Sequence, residues 1–324
     1  MSSRAKKILF YALVCPVWFL FTLTCGAYFT FPYDHVRDFV VQEAERDGAI
    51  RLDIESLEPS FLTGVSAEGV RVTPVTDRAP GETTALVIDE ANARVSLLSL
   101  LAGETEVDFD SALTGAGIIN GTYADTEEAM TLQAHLETVN MRQLSPLQAA
   151  LGIPLGGMLS GDIDLTIANE AAGTEGESRL RINNLSIGDG VTPLEIEALG
   201  GAGVTLEQLN LGPLTFRMDV EDGTGTIEEL HADGEHAEFW GTGTIRLARD
   251  LRRSAIDMMV RINFKEAYRT SSPRMGALFM LLDNNPQVRP ARTSDGALQW
   301  RIQGSFGGRV RMVPSGRVPM PEAD

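Results

Sequence analysis

His231 and His236 stand five residues apart beside a predicted turn, and two imidazoles at that spacing could begin a metal site. Zinc would need further ligands at tetrahedral geometry, and the neighbouring sequence supplies no cysteine or third histidine. His35 follows an apolar N-terminal segment and His135 falls in a predicted strand, so all four histidines read as surface or structural residues. Asp162 and Asp164 alternate with Ile163 and Leu165 and share the polar face of one strand. Paired carboxylates can do acid–base work, but a solvated strand face accounts for them more simply. No GxSxG elbow, HExxH helix or CxxC pair occurs. Both cysteines, Cys15 and Cys25, lie in the N-terminal apolar segment, so the rest of the chain has no thiol chemistry. Asn120 and Asn184 head Asn-x-Ser/Thr triplets of a kind expected by chance. The sequence assigns no catalytic, cofactor-binding or metal residue, and the chain reads as a non-enzyme.

Charge is the stronger signal. The net charge of −18 divides unevenly: residues 1–7 carry +3, and residues 8–244 carry 10 basic and 38 acidic side chains. Residues 245–324 carry 14 basic and 7 acidic ones. The acidic bulk argues against nucleic acid and against lying flat on an anionic leaflet. The basic last quarter offers Arg252, Arg253, Arg301, Arg309, Arg311 and Arg317 as candidate partner-docking residues. The alternative is that these arginines pair with acidic side chains of the same body, which 38 carboxylates favour slightly.

The elements that would position such a surface begin with residues 8–31, ILFYALVCPVWFLFTLTCGAYFTF, 24 positions without a charge. As a helix this stretch spans about 36 Å, enough to cross a hydrocarbon core of about 30 Å with some tilt. Arg4, Lys6 and Lys7 precede it, which predicts a cytoplasmic N-terminus and a body on the far side of the inner membrane. A cleaved signal peptide would want a shorter apolar region, although Ala27 offers a passable cut. Thr22-Leu23-Thr24-Cys25 lacks the residues of a lipoprotein box. From Pro32 to Asp47 the spacing of Val36, Phe39, Val40 and Ala44 predicts an amphipathic helix ended by Gly48, its apolar stripe packed on the body.

After Gly48 the hydrophobic period becomes two. It appears in Ile50-Leu52-Ile54, Val70-Val72, Leu86-Ile88 and Met130-Leu132-Ala134-Leu136, then in Leu159-Gly161-Ile163-Leu165-Ile167 and Leu180-Ile182. It returns in Leu214-Phe216-Met218-Val220, Ile256-Met258-Val260-Ile262-Phe264 and Leu298-Trp300-Ile302. Asn120-Gly121, Asp189-Gly190, Asp222-Gly223, Asp233-Gly234 and Asp295-Gly296 read as turns between strands. One apolar and one polar face per strand predicts a mainly antiparallel β body, with strand residues outnumbering helical ones at least twofold. Short helices are expected over 95–102, 142–151 and 273–282, the last with Met275, Leu278, Phe279 and Leu282 on one face. GTGTI occurs at 223–227 and 241–245, each copy expected to open a strand.

The order of segments carries a resemblance. A basic single-span N-terminus runs into FPYDHVRDFVVQEAE, then IRLDIESLEPSFLTGVSAEGVRV, IDEANARVSLLSLLAGETEVDFD, GMLSGDIDLTI and a late DGALQWRIQGSF. In this the chain resembles the N component of the bacterial type II secretion system in its deltaproteobacterial form, and more distantly AsmA-like envelope proteins. The resemblance covers residues 4–313 and rests on structural motifs, so it carries over no site residue. It implies a transmembrane anchor followed by an extended, curved antiparallel sheet of AsmA-like trough form, mainly β with a few short helices. It implies an inner-membrane accessory to protein secretion, partnered by other type II secretion components. The AsmA likeness implies, alternatively, lipid binding, lipid transfer or envelope assembly, with phospholipid in an apolar groove. The expected organisation is a cytoplasmic tail and anchor over 1–31, a connecting helix over 32–48, a periplasmic β body over 49–316 and a tail over 317–324.

Overall fold

The structure, a computed structural model, describes residues 50–60, 63–75, 85–96, 102–113, 117–151, 153–191, 193–195, 203–205, 207–250, 253–306 and 310–320. It also describes positions 37, 38, 41, 42, 45, 46, 99, 115 and 308. The expected span over 8–31 lies outside these residues, as does most of the expected connecting helix. No helix among the described residues is long and apolar enough to cross a membrane. Arg37, Asp38, Val41 and Gln42 are helical, and Val41 packs on Ile54, Ala67 and Val70 of the body.

The strands are β1 (Ile50–Asp53), β2 (Ser56–Ser60), β3 (Gly64–Pro74), β4 (Leu86–Val95), β5 (Thr105–Leu113) and β6 (Gly117–Asp125). They continue as β7 (Ala129–Asn140), β8 (Leu155–Ala168), β9 (Glu175–Ile187), β10 (Pro193–Glu195), β11 (Gly203–Thr205) and β12 (Leu209–Glu221). Last come β13 (Thr224–Asp233), β14 (Ala237–Arg246), β15 (Ala255–Phe264), β16 (Leu298–Ser305) and β17 (Arg311–Pro314). Three α-helices whose two ends both lie among the described residues interrupt them: α1 (Ser145–Leu151), α2 (Glu266–Arg269) and α3 (Pro273–Asn284). All strands but β10 and β11 join one open 15-stranded sheet, and every pairing in it is antiparallel. Among the described residues from Ile50 to Met312, strand residues outnumber helical ones several-fold, as the alternation predicts.

The register turns local alternation into two continuous faces, because directly paired residues point to the same side. One row runs Pro59, Val65, Ala93, Phe109, Gly121, Ala134, Ile163, Ser178, Met218, Ile227, Gly243, Met258, Ile302 and Met312. It crosses β2 to β17 with a single hydroxyl. On the opposite face a row runs Asn92, Asp110, Asn120, His135, Asp162, Arg179, Arg217 and Glu229, without an apolar side chain.

Three expectations are corrected. Asn120-Gly121 is no turn but the middle of β6. A Cβ on Gly121 would lie 2.0 Å from the Gln133 carbonyl oxygen and 2.9 Å from the Phe109 ring, so the residue makes room for its neighbours. The second GTGTI does not open a strand. It ends β14 and pairs antiparallel with the first copy, setting Ile245 opposite Gly225 and Ile227 opposite Gly243. Each bulky side chain thus meets a glycine. The helix expected over 95–102 begins inside β4, which holds Val95; only Ser99 and Ala102 are described as helical.

All three helices project from the end of the sheet where β7 finishes and β8 begins, here the top. Ser272 caps α3, its Oγ accepting from the Met275 N–H at 3.2 Å, and Pro273 occupies the first turn. That start aims Met275, Leu278 and Phe279 into the largest apolar cluster, with Tyr268, Leu185, Leu209, Leu211 and Leu214, and Leu282 packs against it. The Tyr268 hydroxyl donates to the Glu207 carbonyl at 2.6 Å, and burial, with Glu207 nearby, pushes its pKa up to about 12. The stripe predicted for this helix is therefore the one that builds the core.

Candidate binding trough and the arginine surface

The apolar face is the inside of a curl. Arg249, in the loop after β14, donates to the Asp125 carboxylate at 2.6 Å and the Thr126 carbonyl at 2.7 Å, and also to Asn169. Six strand steps separate β6 from β14, about 29 Å in a flat sheet at about 4.8 Å per step. The three residues beyond β14 and an arginine side chain reach roughly 17 Å at about 3.4 Å per residue, so the sheet must bend to close this contact. Asp125 pairs with Met130 and belongs to the apolar face, which puts that face on the concave side. At the top, α1 leaves the sheet between β7 and β8 yet packs on β3, four strands away. Leu144, just before α1, joins Leu86, Ile88, Leu113 and Val139 there.

Between these two closures lies an apolar floor. Val107, Phe109, Tyr123, Leu132, Ile163 and Leu165 belong to none of the buried clusters and keep part of their surface in solvent. Burial raises the Tyr123 hydroxyl pKa, Asp125 adding to the effect and Arg249 opposing it. Such a floor exposes hydrocarbon in a row several strands wide, a surface that favours an apolar occupant over water.

The four predicted arginines among the described residues do not form one patch. Arg252 and Arg309 lie outside the described residues. Arg301 is engaged internally: Nε and Nη2 donate to both oxygens of Asp257 at 2.8 and 2.7 Å, and this holds the Asp257 carboxyl below its ordinary pKa. Arg253, Arg311 and Arg317 are exposed and have no carboxylate partner among the described residues. Arg253 and Arg311 lie at the bottom, beside the paired ends of β15 and β16. Arg317 lies at the top, next to Gly316, whose N–H bonds the Pro290 carbonyl.

Other cations of the basic quarter are paired as well. Arg269 and Arg292 share Asp283, and Arg261 meets Asp295. Burial acts to raise the Asp283 pKa, but hydrogen bonds from Arg292 and Arg269 outweigh it and leave the carboxyl low. These partners are aspartates of the basic quarter itself. Arg249 and Lys265, which bonds Asp233 at 2.6 Å, reach into the acidic part.

The described histidines and aspartates are dispersed, and His35 lies outside the described residues. His135 Nδ1 lies 2.6 Å from Asp162 on the solvated polar face, and Asp164 accepts from Gln133 at 3.3 Å. His231 Nε2 is 3.8 Å from Glu238, whereas His236 sits in the turn after β13, stacked 5.0 Å from Tyr268. Among the described residues no group of three His, Cys, Asp or Glu side chains is placed to hold a metal ion. Sequence reading missed Arg249 and Asp125, since 124 residues separate them and neither stands in a motif. Comparison with protein-family models, curated proteins and solved structures finds no match to the chain.

Proposed function

We propose that the chain is a non-enzymatic, inner-membrane accessory protein of type II secretion whose periplasmic β body binds other envelope components through its concave face. The observation that carries this reading is the apolar floor of β5 to β8, left outside the buried clusters of a sheet this large. The uncharged stretch over 8–31, behind Arg4, Lys6 and Lys7, supports the anchor and its orientation. The order of segments supports the secretion role. Co-purification tests it: the detergent-solubilised chain should retain a type II secretion component, identified by mass spectrometry, and deletion should impair secretion. Recovery of no such component, with secretion intact in the deletion strain, would overturn the assignment.

A second reading is favoured by the two closures, which bound the floor at each end as a groove for acyl chains would require. In it the body is an AsmA-like lipid-binding or lipid-transfer protein. Phospholipid retained through purification and lost on Leu165→Arg supports this reading; a lipid-free preparation that still restores function to the deletion strain excludes it.

A further inference from the structure

Four adjacent strands lose register at one level near the top of the sheet. β7 does so between Leu136 and Val139, and β8 between Gly156 and Met158, where β9 contributes extra residues at Asn184 and Leu185. β12 shifts on both sides of Gly212. The backbone is turned to positive φ here at Thr138 (48°), Asn184 (55°), Gly157 (135°) and Gly212 (70°). Thr138 and Asn184 are two of the three non-glycine residues with positive φ among those described. Strain of this kind persists where the surroundings enforce it, and bulges re-aim side chains at sites.

The bulged row lines a pocket of about 480 Å³. Five of its side chains are carboxamides, one is Arg142 and one is His236, and none is a carboxylate. The chain has 45 acidic residues, so a lining without one stands apart. The amide oxygens of Asn140 and Asn210 accept from the Arg142 and Gly212 backbone N–H groups at 3.1 and 2.9 Å, so each has its NH2 to offer. His236 Nδ1 lies 3.0 Å from the Asn210 N–H and 3.2 Å from the Gln208 carbonyl oxygen, which fixes the ring at the pocket edge. Asn183 and Asn184 have no side-chain hydrogen bond among the described residues. The Arg142 guanidinium is exposed and has no carboxylate partner there. Gly156 sits against two of the lining residues, for a Cβ there would lie 2.6 Å from Ser186 Oγ and 3.0 Å from Arg142 Nε.

We infer that this pocket binds a small ligand carrying one anionic group beside several hydroxyls, the anion on Arg142 and the hydroxyls on the amides. One guanidinium matches one carboxylate or phosphate. Carboxamides, which both donate and accept, match hydroxyls. A sugar acid and a glycerophosphate headgroup share this chemistry.

Calorimetric titration of the full-length, detergent-solubilised chain with glucuronate, with glycerol 3-phosphate and with uncharged glucose tests the inference. At least one anion should bind with a Kd of about 1 mM or tighter, and glucose at least about tenfold more weakly. Tighter glucuronate indicates a sugar acid, and tighter glycerol 3-phosphate a lipid headgroup. Arg142→Gln, on an exposed side chain, should weaken the anion about tenfold or more with an unchanged melting curve. Gly156→Ala should also weaken the anion, because its methyl would displace Arg142 and Ser186. Absence of saturable binding by either anion, or binding unaltered by Arg142→Gln, would overturn the inference.

Discussion

The top of the sheet and its middle are built from the same alternating sequence and end in different physical states. Near the top, Tyr268, Met275 and Phe279 from α2 and α3 cover Leu185, Leu209, Leu211 and Leu214, all nearly excluded from water. In the middle, Phe109, Leu132, Ile163 and Leu165 occupy equivalent positions in the pleat and stay partly exposed. Alternation sets which face a side chain points to. Burial depends on what lies over that face, and at the top it is α2 and the capped 12-residue α3.

Truncation should separate the two regions most sharply. Phe279→Ala removes a core ring and is expected to cost about 3–4 kcal/mol in denaturant unfolding, whereas Leu165→Ala on the floor should cost about 1 kcal/mol. Equal losses would mean that the floor is a covered core.

Next in size is Asp283→Ala, which strips Arg269 and Arg292 of their shared carboxylate, for about 2 kcal/mol. The same group sets a pH dependence. Its folded-state pKa lies below the unfolded value of about 3.9, so its contribution is present at neutral pH. That contribution is lost as pH falls below about 4 toward the folded value. Melting curves between neutral pH and about pH 3 should show Asp283→Ala converging on the parent at the acid end.

Gly121→Ala comes third, at about 1–2 kcal/mol, because its methyl would meet the backbone of β7. Arg249→Gln should cost about 1 kcal/mol globally. Its local effect is clearer: hydrogen exchange should quicken at Thr126 and Asn169, whose N–H groups bond Ala129 and Glu128 in the turn that Arg249 holds. Unchanged exchange there would show that the curl does not depend on this arginine.

Much of this was legible in the chain. The long β strands declare themselves through Val, Ile and Leu at period two, and α3 through Met275, Leu278, Phe279 and Leu282. The strand β5 escaped because its polar positions are acidic at Glu106, Asp108 and Asp110, and β6 because Asn120-Gly121 imitates a turn. The facing GTGTI copies show why: glycine inside a sheet can serve packing across strands as readily as it serves a bend. The contacts that Arg249 and α1 make across the sheet, like the aligned bulges, are tertiary, joining residues whose local sequence carries no sign of each other. The arginines were legible as a charge excess but not as pairs, since Arg301 meets Asp257 through strand register alone.

The account rests on the concave floor having an apolar occupant in the cell. A photo-crosslinking residue at Leu165, with a second at Asp162 on the polar face of the same strand, measures this directly. The floor probe should capture a secretion component or phospholipid, identified by mass spectrometry, while the Asp162 probe captures neither. Equal capture from both positions, or none from Leu165, would contradict it.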